Sequence, residues 1–362
     1  MKDLESTRAE IAAVDRELAQ AFEKRMRLAE DVLANKAKAG LPIYDPAQEA
    51  KVILRNSDNI SDPVIREYYV RFLQSLMDLS KDYQQRLAGM MKVAYCGAPG
   101  AFAHIACRKM FPGAEHIPFP DFESAYKACE DGTVDVAVMP VENSYSGIVG
   151  GVLDLSFGGG LFVNMMFELT VTQNLVGLKG TAISDIKKVV SHPQALSQCA
   201  AFISEHGIEA VEFGNTALAA KHVAETGDKS IAAIASADTA ELYGLEVISP
   251  AINASAWNTT RFAVFSRVKN TPADAGGEHF ILEFTVKNEA GALAKVLNVI
   301  GVHRFNMSNL HSRPTKGSLW KHWFFAELEG DVDSADGQEL LRQMSTVCDC
   351  LKLVGTYKTL AL

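Results

Sequence analysis

Apolar residues recur at a seven-residue spacing through Leu4, Ile11, Leu18 and Val32, with Val14, Ala21 and Leu28 beside them. That period is close to two helical turns, so it predicts one long helix with an apolar stripe on one face, a seam for burial. Gly40 and Pro42 end it, a second helix is expected from about Pro46, and "SDPVIREYY" starts a third with Ser61 or Asp62 as cap and Pro63 in the first turn. From 4 to 88 the only glycine is Gly40, as helices require. One helix so much longer than its neighbours leaves apolar surface uncovered, which predicts dimerisation along the stripe.

From Lys92 the period changes. Short apolar runs, "KVAYC", "VDVAVMP", "KKVVSHP", "KSIAAIA" and "RFAVFSRV", alternate with helical stretches and predict an α/β region with a mainly parallel sheet, long enough for two lobes. The Pro, Gly and Asp content of "NTPADAGGE", 270 to 278, marks a linker. Beyond it come "HFILEFTVK", a helix from about Gly291, "NMSNLHSRP", "WKHWFFAELEG", a helix near 335 to 346 and "CLKLVGTY". This β-α-β-β-α-β order predicts a small ferredoxin-like α+β module. The expected division is 1–90 all-helical, 91–270 α/β and 279–362 α+β.

Composition narrows the ligand class. With 362 residues, 48% hydrophobic and 22% charged, the chain can bury several cores, and a net charge of −9 gives no basic footprint for nucleic acid or anionic membrane. Small molecules are the expected ligands. The six cysteines form no C-x-x-C pair and read as reduced thiols, and no metal or cofactor is called for. The absence of a long apolar run predicts a cytoplasmic protein.

Cations interrupt the apolar stripe. Arg25 occupies the heptad position of Leu4, Ile11 and Leu18, and Arg8 and Lys36 fall on the adjoining row with Phe22 and Ala29. A buried cation is costly unless paired, so three on one apolar face point to an anionic ligand, although any one alone could reach water or Asp15. Arg25 and Lys36 are roughly 16 Å apart along a helix and can converge on one ligand. Arg8 lies roughly 25 Å from Arg25, so if it takes part it comes from a partner chain. On the third helix Ser80 and Gln84 continue the stripe of Tyr69, Leu73 and Leu76.

The set Arg8, Arg25, Lys36, Asp45, Glu49, Ser80 and Gln84 resembles the all-helical chorismate mutases over about 90 residues. The resemblance implies that Arg25 and the partner's Arg8 hold carboxylates, that Lys36 and Gln84 face the ether oxygen, and that Asp45, Glu49 and Ser80 orient the rest. Gln48 stands where that family usually has arginine. A Claisen rearrangement needs no nucleophile or metal, only two clamped carboxylates and a donor where negative charge grows.

In the central region each strand leads into a loop rich in turn and amide residues: "CGAPGAFAH" at 96–104, "PVENSYSG" at 140–147 and "SHPQALSQC" at 191–199. Ligands of open α/β sheets bind at the carboxyl ends of strands, so these loops predict one crevice, with Ser191 and Pro193 as cap and first turn of a helix suited to an anion. Together with "NTTRF" at 258–262 they resemble the prephenate dehydratases, whose fold is that of two-lobed periplasmic binding proteins. The resemblance implies Thr260 as the catalytic hydroxyl, with Asn143, Ser144, Ser191, His192, Gln194 and Gln198 around the substrate, Arg261 at the same strand end, and Glu142 as a candidate proton source. Ala103 replaces that family's usual serine.

The C-terminal module resembles the ACT regulatory domains, and its Gly291, Ala292, Leu293, Asn306, His311, Ser312, Arg313 and Pro314 correspond to their phenylalanine motifs, with His311 in place of glutamate. The sequence thus predicts a bifunctional enzyme of phenylalanine biosynthesis, acting on chorismate and prephenate as a homodimer or homotetramer, with L-phenylalanine as effector. A monofunctional prephenate or arogenate dehydratase with a helical dimerisation segment, and a non-catalytic binder of aromatic acids, are the alternatives.

Overall fold

The computed structural model describes residues 2–43, 45–254, 257–270, 278–315 and 321–361. All but the ends of the expected linker lie outside the described residues. The chain forms two compact units, one of residues 1–91 with 113–115 and one of the rest.

The first unit is three helices, Leu4–Ala39, Pro46–Ser57 and Pro63–Leu87. Asp3 caps the first by accepting from the Ser6 amide, and Gly40 ends it at φ 64°, a left-handed conformation that suits glycine. Asp62, not Ser61, caps the third, accepting from the amides of Val64 and Ile65. Leu73 and Met77 are buried between helices, but the predicted seam is not covered by its own chain: Ile11 is 55% exposed, Val14 60%, Leu18 49% and Val32 45%. The three-helix unit is too narrow to shield a 36-residue helix, so the stripe stays bare.

Among the described residues the second unit holds three sheets. One orders the strands Thr359–Ala361, Phe162–Thr170, Thr259–Ser266, Val136–Asn143, Lys92–Cys96 and Glu115–Phe119, and another orders Glu246–Ser249, Asn174–Gly177, Ile231–Ala235, Lys188–Ser191 and Glu209–Glu212. These are the two lobes, and they are mixed rather than mainly parallel. The chain leaves the first sheet along Phe162–Thr170 into Asn174–Gly177 and returns along Glu246–Ser249 into Thr259–Ser266. Outward and return strands lie side by side in opposite directions, so they pair antiparallel in both sheets. Parallel pairing survives where helices make the connection, as between Val93–Tyr95 and Val136–Val138.

The third sheet, ordered Asn306–Pro314, His322–Glu329, His279–Thr285 and Cys350–Tyr357, is antiparallel throughout and carries helices Ala292–Val302 and Ala335–Val347, the predicted ferredoxin-like order. It shares a core with the first lobe: Ile281, Trp323, Phe325, Val354 and Tyr357 are buried with Tyr126, Met166 and Phe265. Each such large side chain contributes about 1.5–3 kcal/mol. Strand Cys350–Tyr357 approaches so closely that a Cβ on Gly355 would lie 1.9 Å from the Val163 carbonyl oxygen, which fixes glycine there. Among the described residues no helix is long and apolar enough to cross a membrane.

Candidate active sites

Between the two lobes lies a cleft of about 310 Å³, and of the described residues lining it none is Asp, Glu, Lys or Arg. Its apolar wall includes Phe102, Phe122, Val149 and Phe262, and its polar wall Asn143, His192, Gln194, Gln198, Asn258 and Thr260. Thr260 and Asn143 are register partners on adjacent strands, which sets their side chains together on one face.

Hydrogen bonds decide which way each amide points. The backbone amides of Tyr145 and Ser146 both donate to Asn143 Oδ1 at 3.0 Å, so Nδ2 must face the other way, where it donates to Thr260 Oγ1 and Asn258 Oδ1 at 2.9 Å. Asn258 Nδ2 in turn donates to Gln198 Oε1 at 3.1 Å. The series therefore ends in two donors beside the cleft that are uncommitted among the described residues, the Thr260 hydroxyl proton and Gln198 Nε2. Burial, then the charge of Asp121, pushes the Cys96 thiol at the rim above its ordinary value, so it stays protonated at neutral pH.

Four expected residues, Glu142, Ser144, Ser191 and Arg261, are not in this wall. Successive residues of a strand point to opposite faces, so Arg261 and Glu142, partners one step along from Thr260 and Asn143, face away from the cleft. There Arg261 meets Glu327 of the C-terminal sheet through two hydrogen bonds, Nη1 to Oε2 at 2.8 Å and Nη2 to Oε1 at 2.5 Å, with Glu142 at 3.4 Å and the Tyr357 hydroxyl at 3.5 Å. Burial drives the Glu327 carboxyl up, but the hydrogen bond and charge of Arg261 outweigh it and hold the group below the ordinary carboxylate range. Ser191 is corrected too: it ends a strand with its hydroxyl donating to the Ile234 carbonyl at 2.8 Å, and His192 caps the helix by accepting from the Gln194 amide. Ser144 sits beside the cleft, its hydroxyl donating to the Trp257 carbonyl and accepting from the Thr259 amide.

Sequence reasoning placed Phe102 only through its loop, 96–104, and missed Gln173, Asn215 and the wall residue Phe122. Asn215 had a signal, since it caps the helix Thr216–Thr226 by accepting from Leu218 at 2.7 Å. Gln173 had none, lying on the crossing between lobes.

In the helical unit, Arg25 donates to the Ser80 hydroxyl and, at 3.2 Å, to the Leu76 carbonyl, and burial lowers its pKa. It borders a groove of about 390 Å³ walled by Leu18, Phe22, Phe72 and Leu76, with Asp15 at the edge. Lys36 donates to the Ile43 carbonyl at 2.5 Å, and Glu49 pairs with Lys81 at 3.1 Å. Asp45 caps the second helix by accepting from the Gln48 amide. Gln84 is buried with its Oε1 unpaired among the described residues, whereas Arg8 and Gln48 are exposed.

The predicted effector residues divide. Gly291 is the N-cap of helix Ala292–Val302 at φ 80°, Ala292 is buried and Leu293 packs against the module's core. Asn306 begins the strand that Pro314 ends, and Ser312 borders a cavity with Thr285, Lys287 and Phe324. His311, one residue from Ser312 and so on the other face, instead lines a small cavity with Glu142, Arg261 and Glu327. Arg313 is committed to Asp154 through Nε and Nη2, at 2.6 and 2.9 Å.

Family models match in three places: chorismate mutase type II over residues 7–85, prephenate dehydratase over 93–270 and the ACT domain over 280–345. A bifunctional chorismate mutase/prephenate dehydratase from Neisseria gonorrhoeae is 30% identical over 355 residues, covering 97% of this chain and 96% of its own. The chain belongs to this bifunctional family. A bifunctional relative from Aquifex aeolicus is 29% identical, covering 99% of this chain and 98% of its own. Among solved structures, prephenate dehydratase from Arthrobacter aurescens in complex with L-Phe is 26% identical with a TM-score of 0.68, covering 74% of this chain and 89% of that one.

Proposed function

We propose that the chain converts chorismate to prephenate in its helical unit and prephenate to phenylpyruvate in the interlobe cleft, with phenylalanine acting through the ACT module. The observation that carries the second step is the polarised amide series ending in the Thr260 hydroxyl. Because Asn143 Nδ2 already occupies the oxygen of Thr260, the threonine's own proton is available to a ligand. Prephenate dianion plus one proton gives phenylpyruvate, carbon dioxide and water. Thr260 donates to the departing ring hydroxyl as its C–O bond breaks, while the carboxylate leaves as carbon dioxide and the ring becomes aromatic. The proton that replenishes Thr260 comes from solvent water, since Glu142 is held on the far side of the strand with Arg261. Gln198 Nε2, His192 and Gln194 hold the anion, and a cleft lined by amides and hydroxyls does so without a lysine or arginine.

In the helical unit, Arg25, Lys36, Gln84 and Arg8 of a second chain clamp chorismate, with Ser80 positioning the Arg25 guanidinium. The bare apolar stripe supports a homodimer as the working unit. The ACT module reaches the dehydratase strand through Arg261 and Glu327, which supports phenylalanine as a feedback effector and Arg261 as a link rather than a substrate ligand. The family matches over 7–85, 93–270 and 280–345 support domain limits of 1–90, 91–270 and 279–362.

The test is Thr260→Val, which keeps the shape and removes the donor. Dehydratase turnover should fall by about a hundredfold or more while mutase turnover is kept. Equal loss of both, or of neither, would refute the assignment.

A further inference from the structure

Gln173 lies where the chain passes from one lobe to the other, between Thr170 and Asn174. Its backbone is clamped on both sides: the amide donates to Asn253 Oδ1 at 3.1 Å and the carbonyl accepts from the Ile252 amide at 2.9 Å. Its side chain lines the cleft and is only 3% exposed, yet Oε1 has no hydrogen-bond partner among the described residues. The other buried amides on this wall, Asn143, Asn258 and Gln198, are joined to one another. Burying an unpaired amide destabilises a fold, and an apolar side chain of similar size would remove that cost. Nothing in the packing asks for glutamine here.

We propose that Gln173 is a substrate-contacting, specificity-determining residue of the dehydratase, its carboxamide hydrogen-bonding a carboxylate of the bound dicarboxylate. Oε1 is the enclosed atom of the carboxamide, which leaves Nε2 to present a donor to the anion. The position suits the role. A residue on the crossing is fixed by backbone bonds to Ile252 and Asn253 on the return path while its side chain reaches the cleft. The inference rests on the reading of the cleft as the dehydratase site. Absence of prephenate turnover in the unaltered protein would sink that reading, whereas the comparison below sinks only this one.

Two variants of the full-length protein test it, with prephenate kinetics and thermal unfolding read together. Gln173→Leu should raise KM for prephenate by about ten- to a hundredfold, the loss of one hydrogen bond to a charged group. Its Tm should be equal to or above that of the unaltered protein, because the orphan amide is gone. Gln173→Glu, the same size but anionic, should raise KM further through repulsion of the dianion. A KM unchanged in Gln173→Leu, or a raised KM accompanied by a clear fall in Tm, would overturn the proposal and make Gln173 a structural residue. Gln173→Glu binding prephenate as well as the unaltered protein would overturn it independently.

Discussion

Asn143→Asp probes the amide series at its origin while barely changing size. The new carboxylate still accepts from the amides of Tyr145 and Ser146, but it cannot make the three bonds that Nδ2 donates, to Asn258 Oδ1 at 2.9 Å, the Thr259 carbonyl at 3.2 Å and Thr260 Oγ1 at 2.9 Å. An amide nitrogen has two hydrogens, so these contacts amount to two full bonds, together about 1–3 kcal/mol. Part is recovered, because Thr260 can turn its proton onto the carboxylate and Asn258 can rotate to donate, so a net loss of about 0.5–2 kcal/mol is expected. The functional effect is larger. Once Thr260 donates to the introduced carboxylate it no longer donates to the substrate, and the loss of one positioned donor costs about 10²–10³ in kcat. The assay is phenylpyruvate formation from added prephenate, with mutase activity as the control for folding. A double-mutant cycle sharpens it: Asn143→Asp combined with Thr260→Val should be no slower than the slower single variant, since both remove the same donor. A kcat loss below about tenfold for Asn143→Asp, or additive losses in the double variant, would refute the polarity argument.

Mixing Arg8→Ala chains with Arg25→Ala chains should restore part of the mutase activity that each lacks alone, because a mixed dimer keeps one site with both arginines; refolded mixtures as inactive as the parents would contradict the shared site. Glu327→Gln should weaken phenylalanine inhibition of the dehydratase by about tenfold, a typical coupling energy, while calorimetry still detects phenylalanine binding; undiminished inhibition would remove the Arg261–Glu327 link from the route. Since the Glu327 carboxyl is held below its ordinary range, the stability it contributes is present above that range and is lost only as pH falls through its folded value, so inhibition assays at pH 6 to 8 read the intact pair. Glu283 is the opposite case: fully buried 3.9 Å from Lys352, its carboxyl is pushed up to about 7 by burial, against the charge of Lys352. A raised carboxyl pKa removes stability as pH climbs from the ordinary value to the folded one, so Glu283→Gln should raise Tm relative to the unaltered protein at pH 8 and not at pH 5. Equal effects at both pH values would show that the carboxyl does not titrate in that window.

Local rules carried the helical unit a long way. Gly40, Pro63 and the aspartate before it act through backbone conformation and capping, which need no tertiary context. The loops that face the cleft were legible because amides and turn residues at strand ends are unusual in a core. The face of each residue was also within reach, since Thr260 and Arg261 are neighbours in a strand and cannot both enter one cleft. What the sequence did not reveal is what covers the other face, because the partner, Glu327, is 66 residues away. The crossing strands escaped for a similar reason. Their antiparallel pairing depends on the chain leaving and re-entering each sheet, and Gln173 takes its meaning only from that crossing.

The central claim, two consecutive reactions on one chain, is tested most directly by giving the purified protein chorismate alone and following prephenate and phenylpyruvate with time. Chorismate should disappear, prephenate should rise and then fall, and phenylpyruvate should accumulate, with Thr260→Val halting the course at prephenate. Chorismate left untouched by a preparation that still converts added prephenate would contradict the account and leave the helical unit as a dimerisation segment.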